Sequence, residues 1–324
     1  MKVRLEYLER CSAQTGYSVS PLEKVVRLGE MAGEIARHPL LREVMALKGG
    51  SALNLCYGPP KRLSVDLDYN YTGHRDRDKM LLDRPRVEDA VAELARRRGY
   101  RVQRSREAFA GRKMYLAYRS VLGPEERIEL DLNFLFRVPI AGTEQRELWQ
   151  PGELDQPRVR TVSLKEIVVG KMLAMLDRGA ARDVWDLAHL PASATGLKDS
   201  PSFRAWFMAL AAILDHPLPT YTLGRLEARV TRRVVAEQLA PMLAADAAPS
   251  ADDLITNAWE AVGEFMAVKP NEEAYLAFVE RGELRPELVF PDDPEAAQRI
   301  ADHPAILWKL TNVRKHLARR AHKE

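Results

Sequence analysis

Asp66 and Asp68 stand two residues apart in the alternating run Leu63-Ser64-Val65-Asp66-Leu67-Asp68-Tyr69-Asn70. On an extended strand, residues i and i+2 project from one face, so this pair crowds two like charges. A divalent cation between them relieves the repulsion. Mg2+ held there can clamp a triphosphate and activate a hydroxyl for in-line attack on the α-phosphorus. Alone, such a pair is more often an acidic strand edge facing water.

Two further features bear on the same chemistry. Lys48-Gly49-Gly50-Ser51 falls where a short strand-like run, Val44 to Lys48, gives way to a helix. Glycines there let the backbone approach a phosphate, and a helix N-terminus offers unpaired N–H groups and the positive end of its dipole. The second feature is Arg127-Ile128-Glu129-Leu130-Asp131-Leu132-Asn133-Phe134, which alternates strictly. A strand paired beside the first could bring Asp131 to the same metal, with its same-face neighbour Glu129 as the fallback.

Taken together, these features have a recognisable spacing. Fourteen residues separate Ser51 from Asp66. The block LKGGSALNLCYGPPKRLSVDLDYNY resembles the signature of the AbiEii toxin family, within the DNA-polymerase-β-like nucleotidyltransferases; Lys48, Arg62 and Ser64 match as well. A second block, from Lys171 through Arg178 to Arg182-Asp183-Val184-Trp185-Asp186-Leu187, resembles the family's later motif. The resemblance implies a polymerase-β-like nucleotidyltransferase core that moves a nucleoside monophosphate from an NTP to an RNA acceptor, such as the 3′ end of tRNA, as the toxin of a toxin–antitoxin pair. It implies that Ser51 and the Gly49-Gly50 backbone hold the β- and γ-phosphates and that Asp66 and Asp68 bind Mg2+. Lys171 would meet the triphosphate, with Asp183 or Asp186 orienting Lys171 or the substrate. Lys48, Arg62, Ser64, Arg178 and Arg182 join the substrate-binding set, and a cognate antitoxin is implied as a partner. Other readings keep the chemistry but change the acceptor to a protein hydroxyl or a small molecule, or make the chain a nucleotide-binding regulator without turnover; the retained Asp66, Asp68 and Lys171 speak against the last.

The elements around these residues read as an α+β fold, a mixed sheet flanked by helices. Ser20-Pro21-Leu22-Glu23 has the pattern of a capping box and predicts the first helix. A helix over about 86–98 should end at Gly99, and strands are expected near 100–105 and 113–120. Ser163-Leu164-Lys165-Glu166 predicts a helix through about Leu176, closed by Gly179, and a short helix should follow to Leu190. On helices, Lys171 and Arg178 share a face and Arg182 and Asp186 are spaced to pair. His189 has no second histidine at ligand spacing and reads as a half-buried helix residue; Trp185, Leu187 and Cys56 read as packing. Beyond residue 195 only helical periodicity remains, as in Phe203, Trp206, Phe207, Leu210 and Leu214. We therefore expect a nucleotidyltransferase domain over 1–195 and a helical C-terminal domain over 196–324, with Ala244–Ala251 as a flexible connection.

Composition sets the class. With 324 residues, 46% hydrophobic and 29% charged, the chain can build its own core. Two cysteines, Cys11 and Cys56, without a CxxC pair, suit the reducing cytoplasm and offer no zinc site. No signal peptide or membrane-spanning run is read. The net charge is +3, but nine Lys/Arg lie in residues 91–119 against two acids, and six in 301–324 against two. Such segments suit a polyanionic partner.

Overall fold

The computed structural model describes residues 3–245, 247 and 249–321. The chain packs as two compact units, one comprising residues 1–167 and 231–253, the other 168–230 and 254–324. The packing division therefore passes through a helix after Ile167 instead of falling at residue 195, and the chain returns to the first unit for a short stretch.

In the first unit, α1 (Leu5–Thr15), α2 (Val19–Arg37) and α3 (Leu41–Val44) lead into β1 (Met45–Lys48), α4 (Gly49–Cys56) and β2 (Asp66–Tyr71). Then come α5 (Arg77–Arg97), β3 (Arg101–Arg104), β4 (Gly111–Arg119), β5 (Glu125–Asn133), β6 (Thr143–Glu147) and β7 (Arg158–Val162). The seven strands form one mixed sheet in the order β3-β4-β5-β2-β1-β7-β6. β2 pairs parallel with β5 and antiparallel with β1. The α+β expectation thus holds.

Alternation explains how this sheet is buried. Leu67, Leu130, Leu132, Met114 and Leu116 are buried, and the residues between them are half-buried or exposed. Helix α2 packs against β2, β5 and β7, and α5 against β3. Gly29 of α2 makes room for Gln150, whose amide would clash with any Cβ there. Burying apolar side chains this way stabilises the layer by about 25 cal/mol per Å2 removed from water.

Several expectations shift in detail. The first helix is α1, not the one at Ser20, and α2 begins at Val19 with Ser18 at its N-cap position. Glu23 does not cap: it is buried, accepts hydrogen bonds from the Ser120 hydroxyl (2.6 Å) and the Val121 N–H, and pairs with Arg27. α5 begins at Arg77 and carries Pro85 within it, its N-terminus capped by Asp76, which accepts from the Lys79 N–H. Strands β6 and β7 were not expected.

The second unit is helical. It holds α6 (Leu164–Arg178) from Val168 onward, α7 (Ala181–Ala188), α8 (Pro201–Ala211) and α9 (Leu223–Arg229). α10 (Arg232–Gln238) belongs to the first unit. α11 (Ala251–Glu260) crosses the boundary after Asp253, and α12 (Pro270–Glu280), α13 (Pro294–Ala301) and α14 (Pro304–Ala321) complete the second unit. Among the described residues no strand follows Val162, as the periodicity implied. Phe203 and Phe207 pack around Phe265, and Arg204 bonds both carboxylate oxygens of Glu272 at 2.7 Å. The expected flexible stretch at 244–251 includes Asp246 and Ala248, which lie outside the described residues, as does Lys323 of the C-terminal basic segment. No described helix is long and apolar enough to cross a membrane.

Candidate active site

Strand register brings four charged residues into one row across the first unit's sheet. Lys48 of β1 lies opposite Asp68 of β2, Asp68 opposite Asp131 of β5, and Asp131 opposite Lys113 of β4. Directly paired residues project to the same face. The row therefore reads cation, carboxylate, carboxylate, cation. One step along, Asp66 lies opposite Glu129, which is opposite Tyr115.

This register separates Asp131 from Glu129. Asp131 sits beside Asp68, and Glu129 beside Asp66. Glu129 is already engaged by Lys113 (3.5 Å) and Arg127 (3.4 Å). Burial pushes the Asp131 carboxyl up, and the neighbouring Asp68 adds to it, against the opposing pull of Lys48 and Lys113.

The glycines bring the backbone against this row. Gly49, the first residue of α4, has φ +67°, which favours glycine. A Cβ built there would fall 2.5 Å from Asp68 Oδ2. Residue 49 must therefore lack a side chain for the first turn of α4 to lie against the Asp68 carboxylate. Ser51 is fully buried and its hydroxyl donates to the Asp66 carbonyl oxygen, which ties α4 to β2. The helix start thus presents backbone N–H groups beside the acids, with the Ser51 side chain holding the joint. Lys48 Nζ lies 5.7 Å from the centre of the Phe136 ring.

The remaining residues of the first motif have other settings. Arg62 is 2% exposed and donates to the Leu63 carbonyl at 2.9 Å, and Ser64 is buried as well. Both lie in the segment that leads into β2, which the Leu63 N–H anchors to the Met242 carbonyl. The capping box expected at Ser163 to Glu166 forms only in part. The Glu166 N–H donates to the Ser163 hydroxyl at 3.4 Å, while the Glu166 carboxylate accepts the Ile140 N–H at 2.8 Å. Burial pushes that carboxyl up to about 7, against the backbone N–H bonds of Ile140 and Ala141 and the charge of Lys48.

The second unit gathers the later motif into one cluster. Lys171 on α6 is 6% exposed, and its ammonium sits 2.8 Å from Asp183 Oδ1 and 2.7 Å from Asp186 Oδ2 of α7. Arg178 Nε donates to Asp183 Oδ2 at 2.5 Å and its Nη2 to Oδ1 at 3.0 Å. Burial would raise Asp183, but Lys171 and Arg178 outweigh it and the carboxyl is held below its ordinary range. Arg182 is half-buried on α7. His189 is half-buried as expected but lies just past α7, at its C-cap position, and stacks on Trp185 with ring centres 3.8 Å apart. Trp185, Leu187 and Cys56 are buried, and burial pushes the Cys56 thiol up to about 12.

Sequence reading missed Lys113. It counted among the basic residues of 91–119, but nothing in the primary structure places it in line with Asp131; only the β4–β5 register does.

The fold of this chain is also seen in MenT4, a nucleotidyltransferase toxin of Mycobacterium tuberculosis H37Rv, which is 17% identical over 93% of this chain and 99% of its own, with a TM-score of 0.58. The family model for the AbiEii nucleotidyl transferase toxin of type IV toxin–antitoxin systems matches residues 34–267, and the chain belongs to that family. No curated protein matches the chain.

Proposed function

We propose that the protein transfers a nucleoside monophosphate from an NTP to an RNA acceptor, the 3′ end of tRNA, in the cytoplasm, and that this transfer arrests growth. The observation that carries the reading is the packing of Gly49 at the start of α4 against Asp68, which is itself in register with Asp131. A phosphate cradle and a set of carboxylates are thereby adjacent.

The donor set suits Mg2+. Among the described residues no three or more His, Cys, Asp or Glu side chains close into a metal-holding group. Mg2+ does not require one, since it keeps several waters and is bound through one or two carboxylates plus substrate phosphates. Asp68 and Asp131 pair across β2 and β5, so two carboxylates stand side by side on one face. Asp66, Asp68 and Asp131 are the candidate ligands, one or two of which would hold the ion directly; when bound it would neutralise the triphosphate and lower the pKa of the attacking hydroxyl.

The chain's own groups supply the rest. The Gly49-Gly50 backbone and the α4 N-terminus hold the β- and γ-phosphates. Lys48 adds a cation at the same edge of the row. In the second unit Lys171, held by Asp183 and Asp186, offers an ammonium to a phosphate. The acceptor hydroxyl forms the new bond to the α-phosphorus, its proton passes to the carboxylates of the row, and pyrophosphate leaves.

Incubation with each α-phosphate-labelled NTP, Mg2+ and either total RNA or a protein lysate tests this reading. Label in tRNA is the expected result. Label in protein alone rejects the RNA acceptor, and no label in any acceptor rejects the transfer. In cells, Asp66→Ala and Asp68→Ala should relieve growth arrest; persistent arrest would reject the site.

A further inference from the structure

The face that carries the carboxylates does not end at Asp131. On β4, Lys113, Tyr115 and Ala117 share it, while Met114, Leu116 and Tyr118 are buried. Gln103 of β3 lies opposite Tyr115, and Arg101 opposite Ala117, which is also opposite Arg127 of β5. The row through Asp66 therefore continues as Glu129, Tyr115, Gln103. Tyr115 stands two strand spacings from Asp66, roughly 10 Å.

The surface of this stretch has a definite chemistry. A hollow of about 330 Å3 is lined there by Arg101, Gln103, Tyr115, Glu125 and Arg127, among others. The Arg127 guanidinium lies 4.7 Å from the centre of the half-buried Tyr115 ring. Side chains of Arg101, Arg127 and Lys113 are 72%, 60% and 49% exposed. Their partners are Glu125 and Glu129. Such exposed ion pairs are weakly held and exchange readily for phosphate. No large apolar side chain lies on this stretch, so a peptide would find little to bury.

Direction along the sheet adds a second argument. The strands run β3-β4-β5-β2-β1, and the glycines follow β1. The phosphate cradle thus lies on one side of Asp66 and Asp68 and the Tyr115 surface on the other. In-line attack needs donor and acceptor on opposite sides of the phosphorus.

We propose that this open face of β3, β4 and β5 is a track for a single-stranded RNA segment. A base stacks on Tyr115, and Arg101, Arg127 and Lys113 meet the flanking phosphates. The inference rests on the RNA-acceptor reading above.

Two measurements separate them. Binding of a fluorescein-labelled single-stranded oligoribonucleotide, without NTP, is followed by anisotropy for the full chain and its variants. Tyr115→Ala should bind about tenfold more weakly, as loss of one base stack implies. Tyr115→Phe should restore binding because the ring remains. Arg101→Ala with Arg127→Ala should make the affinity less dependent on salt, and these exposed positions keep the test open if Tyr115→Ala fails to fold, which thermal unfolding reads. In the transfer assay, Tyr115→Ala should raise KM for RNA and leave KM for NTP as it was.

Absence of oligonucleotide binding by the parent overturns the track. So does parental affinity in a folded Tyr115→Ala, or an unchanged salt dependence in the arginine double variant. If those results come while label still enters RNA, the track fails and the acceptor reading stands. If RNA binds through Tyr115 but label enters protein alone, the acceptor reading fails and the track stands.

Discussion

Asp131 in the first unit is half-buried and Asp183 in the second is fully buried, and their carboxyls move in opposite directions. Asp131 has another carboxylate beside it and its nearest cations one strand away on either side of the pair. Asp183 has an ammonium at 2.8 Å and a guanidinium bound through two nitrogens. The first setting leaves negative charge to be met from outside; the second meets it from within. In the proposed site the first aspartate binds and the second braces.

The comparison breaks most readily at Asp68. Asp68→Asn should cut transfer at least about 100-fold, beyond what removal of a ligand's outer-shell partner costs. The same change removes a like charge from Asp131, so the melting temperature should hold or rise. Turnover near the parent's, or a clear loss of stability, would place Asp68 among bracing residues. Lys171→Ala should do the reverse to the fold. It strips the shared partner from two buried carboxylates and should cost roughly 3–5 kcal/mol in denaturant unfolding. Parental stability in that variant would mean the cluster in the second unit is no brace. Acid should act in the same sense: because Asp183 is held low, its stabilising contribution is present above the ordinary carboxylate range and is lost as pH falls through the lowered folded value.

Glu166 offers a third case, buried without a close cation. Its carboxyl is raised to about 7 from 4.5, so the folded state holds its proton longer than the unfolded chain does. Stability therefore declines as pH rises between these values, by at most roughly 3 kcal/mol. Glu166→Gln keeps an acceptor for the Ile140 N–H and should flatten that decline, read as a larger gain in melting temperature at pH 8 than at pH 5. An equal shift at both would show that the burial of its charge is not felt. The smallest effect is expected at Gly49. Gly49→Ala imposes a left-handed backbone on a residue with a Cβ, about 1–2 kcal/mol, and pushes on Asp68. Transfer should fall more than stability does; a drop in stability alone would detach the glycine from the chemistry.

What sequence made legible follows from where the signal was strong. β5 alternates along its length and β2 over Asp66 to Tyr69, one side buried and the other half-buried, so both acidic strands and their shared side could be read. β6 was missed because it is an edge strand, and Thr143-Glu144-Gln145-Arg146-Glu147 has no apolar side to show. α1 buries only Leu8 and Cys11, too few residues to make a stripe. The N-terminal half of α5 hid behind its charges and Pro85. At the site, Asp66, Asp68 and Gly49 were visible because their spacing is local. The choice between Asp131 and Glu129, and the presence of Lys113, depend on strand register across the sheet, which spacing along the chain does not encode. Arg62 and Ser51 matched a motif, but burial gives them framework positions.

The bond from Ser51 to the main chain of residue 66 has a practical consequence. Its acceptor is a peptide carbonyl, so exchanging the aspartate side chains leaves the joint between helix and strand in place. Inactive forms of this protein should therefore keep the shape of the working one. They are suited to serve as bait, holding a nucleotide and its acceptor together long enough to be isolated and named.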